Sequence, residues 1–139
     1  MNEAIKKISK NLDQLELHYE YTENSNGIIL NLLSEELGIS IRYLIDLDEN
    51  KDKSYTLTII TSDVLRVKNE YKVLKVINEI NYKTNFIVYC IDEDKDLRVK
   101  FNTFDTIESI ADNCIGFLRE VINNIESNYD KIMKANWSE

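Results

Sequence analysis

Proline is absent from this chain, glycine occurs three times, cysteine twice and histidine once. Each scarcity removes a class of chemistry. Three glycines are too few to assemble a phosphate-cradling P-loop or a dinucleotide fingerprint. Two cysteines, Cys90 and Cys114, make no disulfide framework. One falls in an expected strand and the other on an expected helical apolar stripe, so both are expected to be buried, unreactive thiols. Any Cys–His or Ser–His–acid centre would depend on His18 alone, and no Gly-x-Ser-x-Gly elbow accompanies it; His18 is expected to be a surface or partly packed residue. No apolar run reaches the roughly 18 residues needed to span a bilayer. The opening segment Met1–Lys7 lacks an apolar signal core, so the expectation is a cytoplasmic protein with no membrane partner. The missing proline, with abundant Asn, Ile and Lys, fits an AT-rich coding genome and carries no functional information.

Positive charge is scarce as well. Seventeen Lys and Arg face 25 Asp and Glu, for a net charge of −8 and a pI near 4.7. Phosphate backbones are bound by Lys and Arg patches that release counterions. The longest basic cluster here, Lys6, Lys7 and Lys10, reads as a solvated helix face, so no nucleic-acid partner is expected. An acidic surface steers basic partners instead. What is plentiful is apolar character: 43% of the 139 residues are hydrophobic, enough for one core. The chain is read as a single domain, residues 1–139.

Apolar periodicity sets the element order. Ile5, Ile8, Leu12 and Leu15 repeat at helical spacing from about Asn2 to Asp13. Leu15, Leu17, Tyr19 and Tyr21 then alternate as an additional N-terminal strand would. Asn26-Gly27 signals a turn, since both residues tolerate positive φ, and Ile28, Leu30 and Leu32 resume as a strand. After a turn at Ser34–Gly38, Leu37, Ile39, Ile41, Tyr43, Ile45 and Leu47 point one way, as in a half-buried antiparallel strand. Ser54–Thr61 is a further strand, with Tyr55, Leu57 and Ile59 inward. Asn69–Tyr82 returns to helical period with Val73, Leu74, Ile77 and Ile80 as its stripe. Asn85–Ile91 and Leu97–Phe101 form a hairpin with a charged tip, Asp92–Asp96. From Ile107 to Met133 the stripe describes one long helix or two consecutive ones, with Asp105 and Glu108 spaced as a capping pair. Gly116 inside that run costs about 1 kcal/mol relative to Ala and marks either a kink or close packing. The fold class is α+β, an antiparallel sheet with helices mainly on one side, in the order α-β-β-β-α-β-β-α plus the additional N-terminal strand.

Several patterns suggest chemistry and fail a closer reading. Asp92, Asp94 and Asp96 have the opening spacing of a calcium-binding loop, but Leu97 and Thr103 occupy the positions that need Gly and a bidentate Glu. The frames from Asp46 and Asp48 fail in the same way. Glu35-Glu36, and Glu108 with Asp112, are paired carboxylates among polar neighbours, whereas a general acid needs a desolvated one. No catalytic residue, cofactor or metal ligand is assigned. Tyr19, Tyr43 and Tyr55 fall on the apolar strand sides. Tyr82 and Trp137 flank helix ends, are less constrained by periodicity, and are the candidates for a partner interface.

The segment Val76-Ile77-Asn78-Glu79-Ile80-Asn81 ends a helix and precedes a hairpin with an acidic tip. A long last helix carrying Tyr129 then closes the chain. This arrangement resembles the YbjN-like family of bacterial sensory-transduction regulators, which is similar in fold to type III secretion chaperones. The resemblance covers the chain from roughly Leu12 onward in element order. It implies a homodimer that works without cofactor or catalysis and holds a protein client or regulatory partner. Asn78 and Asn81 are the motif positions it carries over, and an Asn near a helix C-terminus caps or anchors more readily than it binds. The strand around Leu17–Tyr21 is an addition to the family pattern. A second function fits the same composition: an immunity-type inhibitor that neutralises a basic toxin through an acidic face.

Overall fold

The computed structural model describes residues 2–138. Among them, three helices and six strands follow in the order α1 (Glu3–Gln14), β1 (Glu20–Tyr21), β2 (Gly27–Ser34), β3 (Ile39–Glu49), β4 (Tyr55–Ser62), α2 (Glu70–Lys83), β5 (Ile87–Ile91), β6 (Leu97–Asp105) and α3 (Ile107–Trp137). The strands form one antiparallel sheet in spatial order β1-β2-β3-β4-β6-β5. The α+β class and the element order agree with the sequence reading, including the extra N-terminal strand.

That strand is shorter than its alternation suggests. Only Glu20 and Tyr21 pair, with Ile29 and Ile28, and Leu15 ends exposed beyond α1. The reason is local: Glu16 takes a left-handed φ of 57°, and the Leu17 N–H turns back to the Leu12 carbonyl. The Asn26-Gly27 signal also marks a turn for a different reason. Ser25 carries the positive φ there. Gly27 instead opens β2, where a Cβ would meet Thr22 at 3.0 Å and the Ile45 carbonyl at 3.1 Å.

One sheet face is apolar. Ile28, Leu30, Ile41, Tyr43, Ile45, Leu47, Tyr55, Leu57, Ile59, Tyr89, Leu97, Val99 and Phe101 are all buried on it, and Leu32 is half-buried. The helix α3 covers this face, packing against β4 and β6 and flanked by α1 on one side and α2 on the other. Its 31 residues span roughly 46 Å without interruption. Gly116 does not interrupt the helix and is not in close packing, since a Cβ there would meet nothing within 4 Å. The energetics explain this: a glycine costs about 1 kcal/mol, whereas each fully buried Leu, Ile or Val contributes about 1.5–3 kcal/mol. Leu118, Val121, Ile125 and Ile132 of this helix are all buried. The start of α3 corrects the expected capping pair. Thr106 is the cap position and makes no side-chain cap bond. The Asp105 carboxylate accepts from the Thr106 N–H, the Ser109 hydroxyl and the Asn113 amide, and Glu108 stays exposed in the first turn.

Where the β4–β6 ladder ends, side chains complete it. The last ladder pair is Ile60 with Lys100, and the buried Thr61 hydroxyl then accepts from the Val99 N–H at 3.0 Å. Asp63, at φ 64°, redirects the chain so that Leu65 and Val67 pair with the start of β6. The buried Asn136, near the end of α3, holds this segment. Its carbonyl oxygen accepts from Lys68 N–H at 2.6 Å and Asn69 N–H at 3.2 Å, and its amide donates to the Arg66 carbonyl at 3.1 Å.

Two predictions follow from this packing. Asn136→Ala strands three backbone groups at once and is expected to cost at least about 2 kcal/mol, read from urea unfolding. The second concerns alkaline pH. Burial pushes the Cys114 thiol up to about 12 from 9.0. Burial, then the Glu126 charge, pushes the Tyr43 phenol up to about 12 from 10.0. The folded chain therefore keeps protons that the unfolded chain releases above pH 9, so stability falls as pH rises from there toward 12. The urea midpoint is expected to be flat below about pH 9 and to decline above it, and Cys114→Ala is expected to shallow the decline.

Candidate protein-binding surface

The surface built from the residues singled out by sequence centres on α2. Asn69 caps this helix by accepting from Lys72 N–H at 3.2 Å. Glu70 in the first turn and Lys83 in the last complement its dipole. Val73, Ile77 and Ile80, at i, i+4 and i+7, are its buried stripe. Leu74 is not part of that stripe, contrary to the sequence reading: it is 38% exposed, because it lies with Tyr71, Asn78 and Tyr82 on the opposite side at i+3, i+7 and i+11. Tyr71 is 75% and Tyr82 92% exposed, and Phe86, just past the helix, is 64% exposed. Tyr82 thus stands where the sequence placed it, on open surface. Tyr71 and Phe86 were missed, although the spacing of Tyr71, Asn78 and Tyr82 on one helix face was the available signal.

Trp137 lies at the other end of α2. It is 59% exposed and the Lys68 ammonium sits 3.9 Å from its ring centroid, a cation–π contact. The Asn69 amide donates to the Ser138 carbonyl beside it at 2.9 Å. The structure therefore separates the two sequence candidates, with Trp137 near the start of α2 and Tyr82 at its end.

The two motif asparagines also part company. Asn78 is exposed on the outer face. Asn81 turns inward, accepting from the Tyr89 N–H at 2.8 Å and donating to the Tyr89 carbonyl at 2.9 Å. Because β5 is the outermost strand, these two bonds take the place of a neighbouring strand and close that edge. Asn81 is a hairpin anchor.

Between α2 and α3 runs a groove. Its centre is a hollow of about 160 Å³ lined by Val76, Glu79, Ile80, Lys83, Thr84, Asn128 and Lys131. A second hollow is bounded by Asn78, Glu79, Tyr82 and Lys83, and a third by Tyr71, Lys72, Lys75, Val76, Glu79 and Ala135. Glu79 lines all three, which therefore border the same flank of α2.

Other sequence candidates are dispersed. His18 is exposed near β1, beside Glu20, Asn31 and Arg42 on the open side of the sheet. Cys90 is exposed, not buried as expected, because its position in β5 points to the uncovered face opposite Tyr89. It stands at the far edge of the sheet from β1, and Cys114 is buried in α3, so the structure brings neither thiol to His18. At the acidic hairpin tip, the Asp92 carboxylate accepts from the Asp94 and Asp96 N–H groups and pairs with Arg98 at 2.8 Å. Bonding to Asp96 and to Arg98 lowers its pKa below the ordinary carboxylate value. Glu35, Glu36 and Asp112 are exposed. Among the described residues no group of three or more His, Cys, Asp or Glu side chains is placed to hold a metal ion, and no helix is long and apolar enough to cross a membrane. No protein-family model and no curated protein matches the chain.

The asparagine assignment is testable. Asn81→Ala is expected to cost about 1–2 kcal/mol and to accelerate hydrogen exchange at the Tyr89 amide. Asn78→Ala, at an exposed helix site, is expected to change stability by less than about 0.5 kcal/mol.

Proposed function

We propose that the chain is a non-catalytic protein-binding module, chaperone-like or regulatory, that works as a small dimer and engages polypeptide through α2. The observation that carries this reading is the outer face of α2, where Tyr71, Leu74 and Tyr82 stand in line, exposed. Large aromatic side chains left in water gain nothing for the fold, yet they supply contact area with few rotors to freeze when a partner covers them. A helix that turns one stripe to the core and a second to solvent suits helix-mediated recognition. The resemblance to dimeric regulators and secretion chaperones points the same way. The alternative, an inhibitor of a basic toxin, calls for carboxylates gathered on the binding face. The face described here carries aromatics and, along its flank, lysines.

The test asks whether these aromatics serve the fold or a partner. Tyr71→Ser combined with Tyr82→Ser is expected to leave the unfolding free energy within about 0.5 kcal/mol of the parent at a dilution where both are monomeric. In light scattering the parent is expected to give a mass near twice 16.3 kDa, and the double variant to lose that association. A parent mass of 16.3 kDa at every concentration removes the dimer from the reading. A large loss of stability in the variant monomer removes the binding face itself.

A further inference from the structure

The groove between α2 and α3 has a charge opposite to that of the protein. Its lining sets three lysines, Lys75, Lys83 and Lys131, against one carboxylate, Glu79, in a chain whose net charge is −8. The two ion pairs found among the described residues, Lys95 with Glu70 and Arg98 with Asp92, do not involve Lys75, Lys83 or Lys131. Beneath the lysines the floor is apolar, formed by Val76 and Ile80 with Ala135 at one end. Tyr71 and Tyr82 stand on the rim.

We propose that this groove takes an acidic amphipathic segment of a partner polypeptide, its apolar side chains against Val76 and Ile80 and its carboxylates against Lys75, Lys83 and Lys131. The proposal rests on the protein-binding reading above and adds the chemistry of the partner. Charge complementarity selects acid, and the apolar floor selects an amphipathic segment over a bare polyanion. A nucleic acid would bring its charge against the whole molecule, and a net −8 opposes that. A short segment with a few carboxylates feels chiefly the lysines within a Debye length of about 8 Å. The groove also lies between two helices, the setting in which amphipathic segments dock by their apolar side.

The experiment selects a phage-displayed random peptide library on the immobilised full chain, then measures synthetic versions of the enriched peptides by fluorescence anisotropy. Enriched sequences are expected to combine Asp or Glu with Leu, Ile or Phe. Their affinity is expected to fall about tenfold on the Lys83→Glu, Lys131→Glu pair, and to hold on the Lys53→Glu, Lys100→Glu control pair, which lies away from the groove. All four lysines are exposed, so the melting curves are expected to match the parent. The Lys83→Gln, Lys131→Gln pair gives the same readout if charge reversal disturbs folding. Neutral or basic enriched peptides, or acidic ones that bind the groove variant equally well, overturn the proposal and leave the protein-binding reading standing. So does a duplex oligonucleotide whose binding the groove substitutions abolish. A library that yields no binder overturns both.

Discussion

Everything in this structure depends on covering one apolar sheet face with helices, the longest of them α3. A sheet of six strands with one side lined by Ile, Leu, Val, Tyr and Phe must hide that side, and α3 lies across it. The helix α3 is long enough to serve four neighbours in turn. Near its start the Ala111 carbonyl accepts from the Asn11 amide of α1 at 3.0 Å. In its middle Glu126 accepts from the buried Ser34 of β2 at 3.1 Å, and Asn124 accepts from the Tyr89 hydroxyl of β5 at 2.6 Å. Near its end Asn136 grips the segment that leads into α2. A helix with so many obligations stays continuous through the glycine within it.

Burial supplies the energy of this arrangement, but polar side chains decide its geometry. Burial has no direction, whereas a hydrogen bond to a backbone group fixes position and angle. Thr61, Asn81 and Asn136 each complete backbone bonds where a ladder or helix end leaves them open. Between them they set the path of the chain from β4 through α2 to β5. Asn136 positions the entry to α2, and Asn81 ties its last turn to the edge strand. The direction in which α2 presents its outer face is therefore fixed by two side-chain amides, one at each end. A partner meets a surface that is already in place, which spares the ordering cost that a mobile helix would add to binding.

Periodicity made the strands and helices legible, because alternation by two and by three or four reports directly which side faces the core. The strands over Tyr43, Leu57 and Val99 and the helices over Ile8, Ile77 and Ile125 follow that rule. It failed where the spacing had two solutions or the residue was polar. On α2, Leu74 and Ile77 are three apart and fit a stripe as well as Val73 and Ile77 do, and only packing against β5 and α3 selects the second. Cys90 alternates correctly with Tyr89 and Ile91, but β5 faces solvent on the side where the cysteine points. Asn136 and Thr61 continue the stripes of Ile132 and Ile59 at i+4 and i+2. A polar residue on an apolar stripe was the available signal for both. The candidate surface was half legible: Tyr82 and Trp137 could be named from their places at helix ends, while the groove joins α2 to residues about 50 positions later in the chain, a juxtaposition no local pattern contains.

Composition misleads in a related way about charge. A net −8 argues for basic partners at long range, where the whole molecule acts as one charge. At contact the relevant charges are those within a Debye length, about 8 Å at physiological salt, and along α2 these are mainly lysines. The two scales need not oppose each other. A field that repels acidic partners in general slows their encounter, so an acidic segment is held only if enough apolar surface is buried with it to offset that repulsion. The acidic exterior then acts as a filter that rejects partners offering charge alone, and the apolar floor of the groove between α2 and α3 sets the threshold.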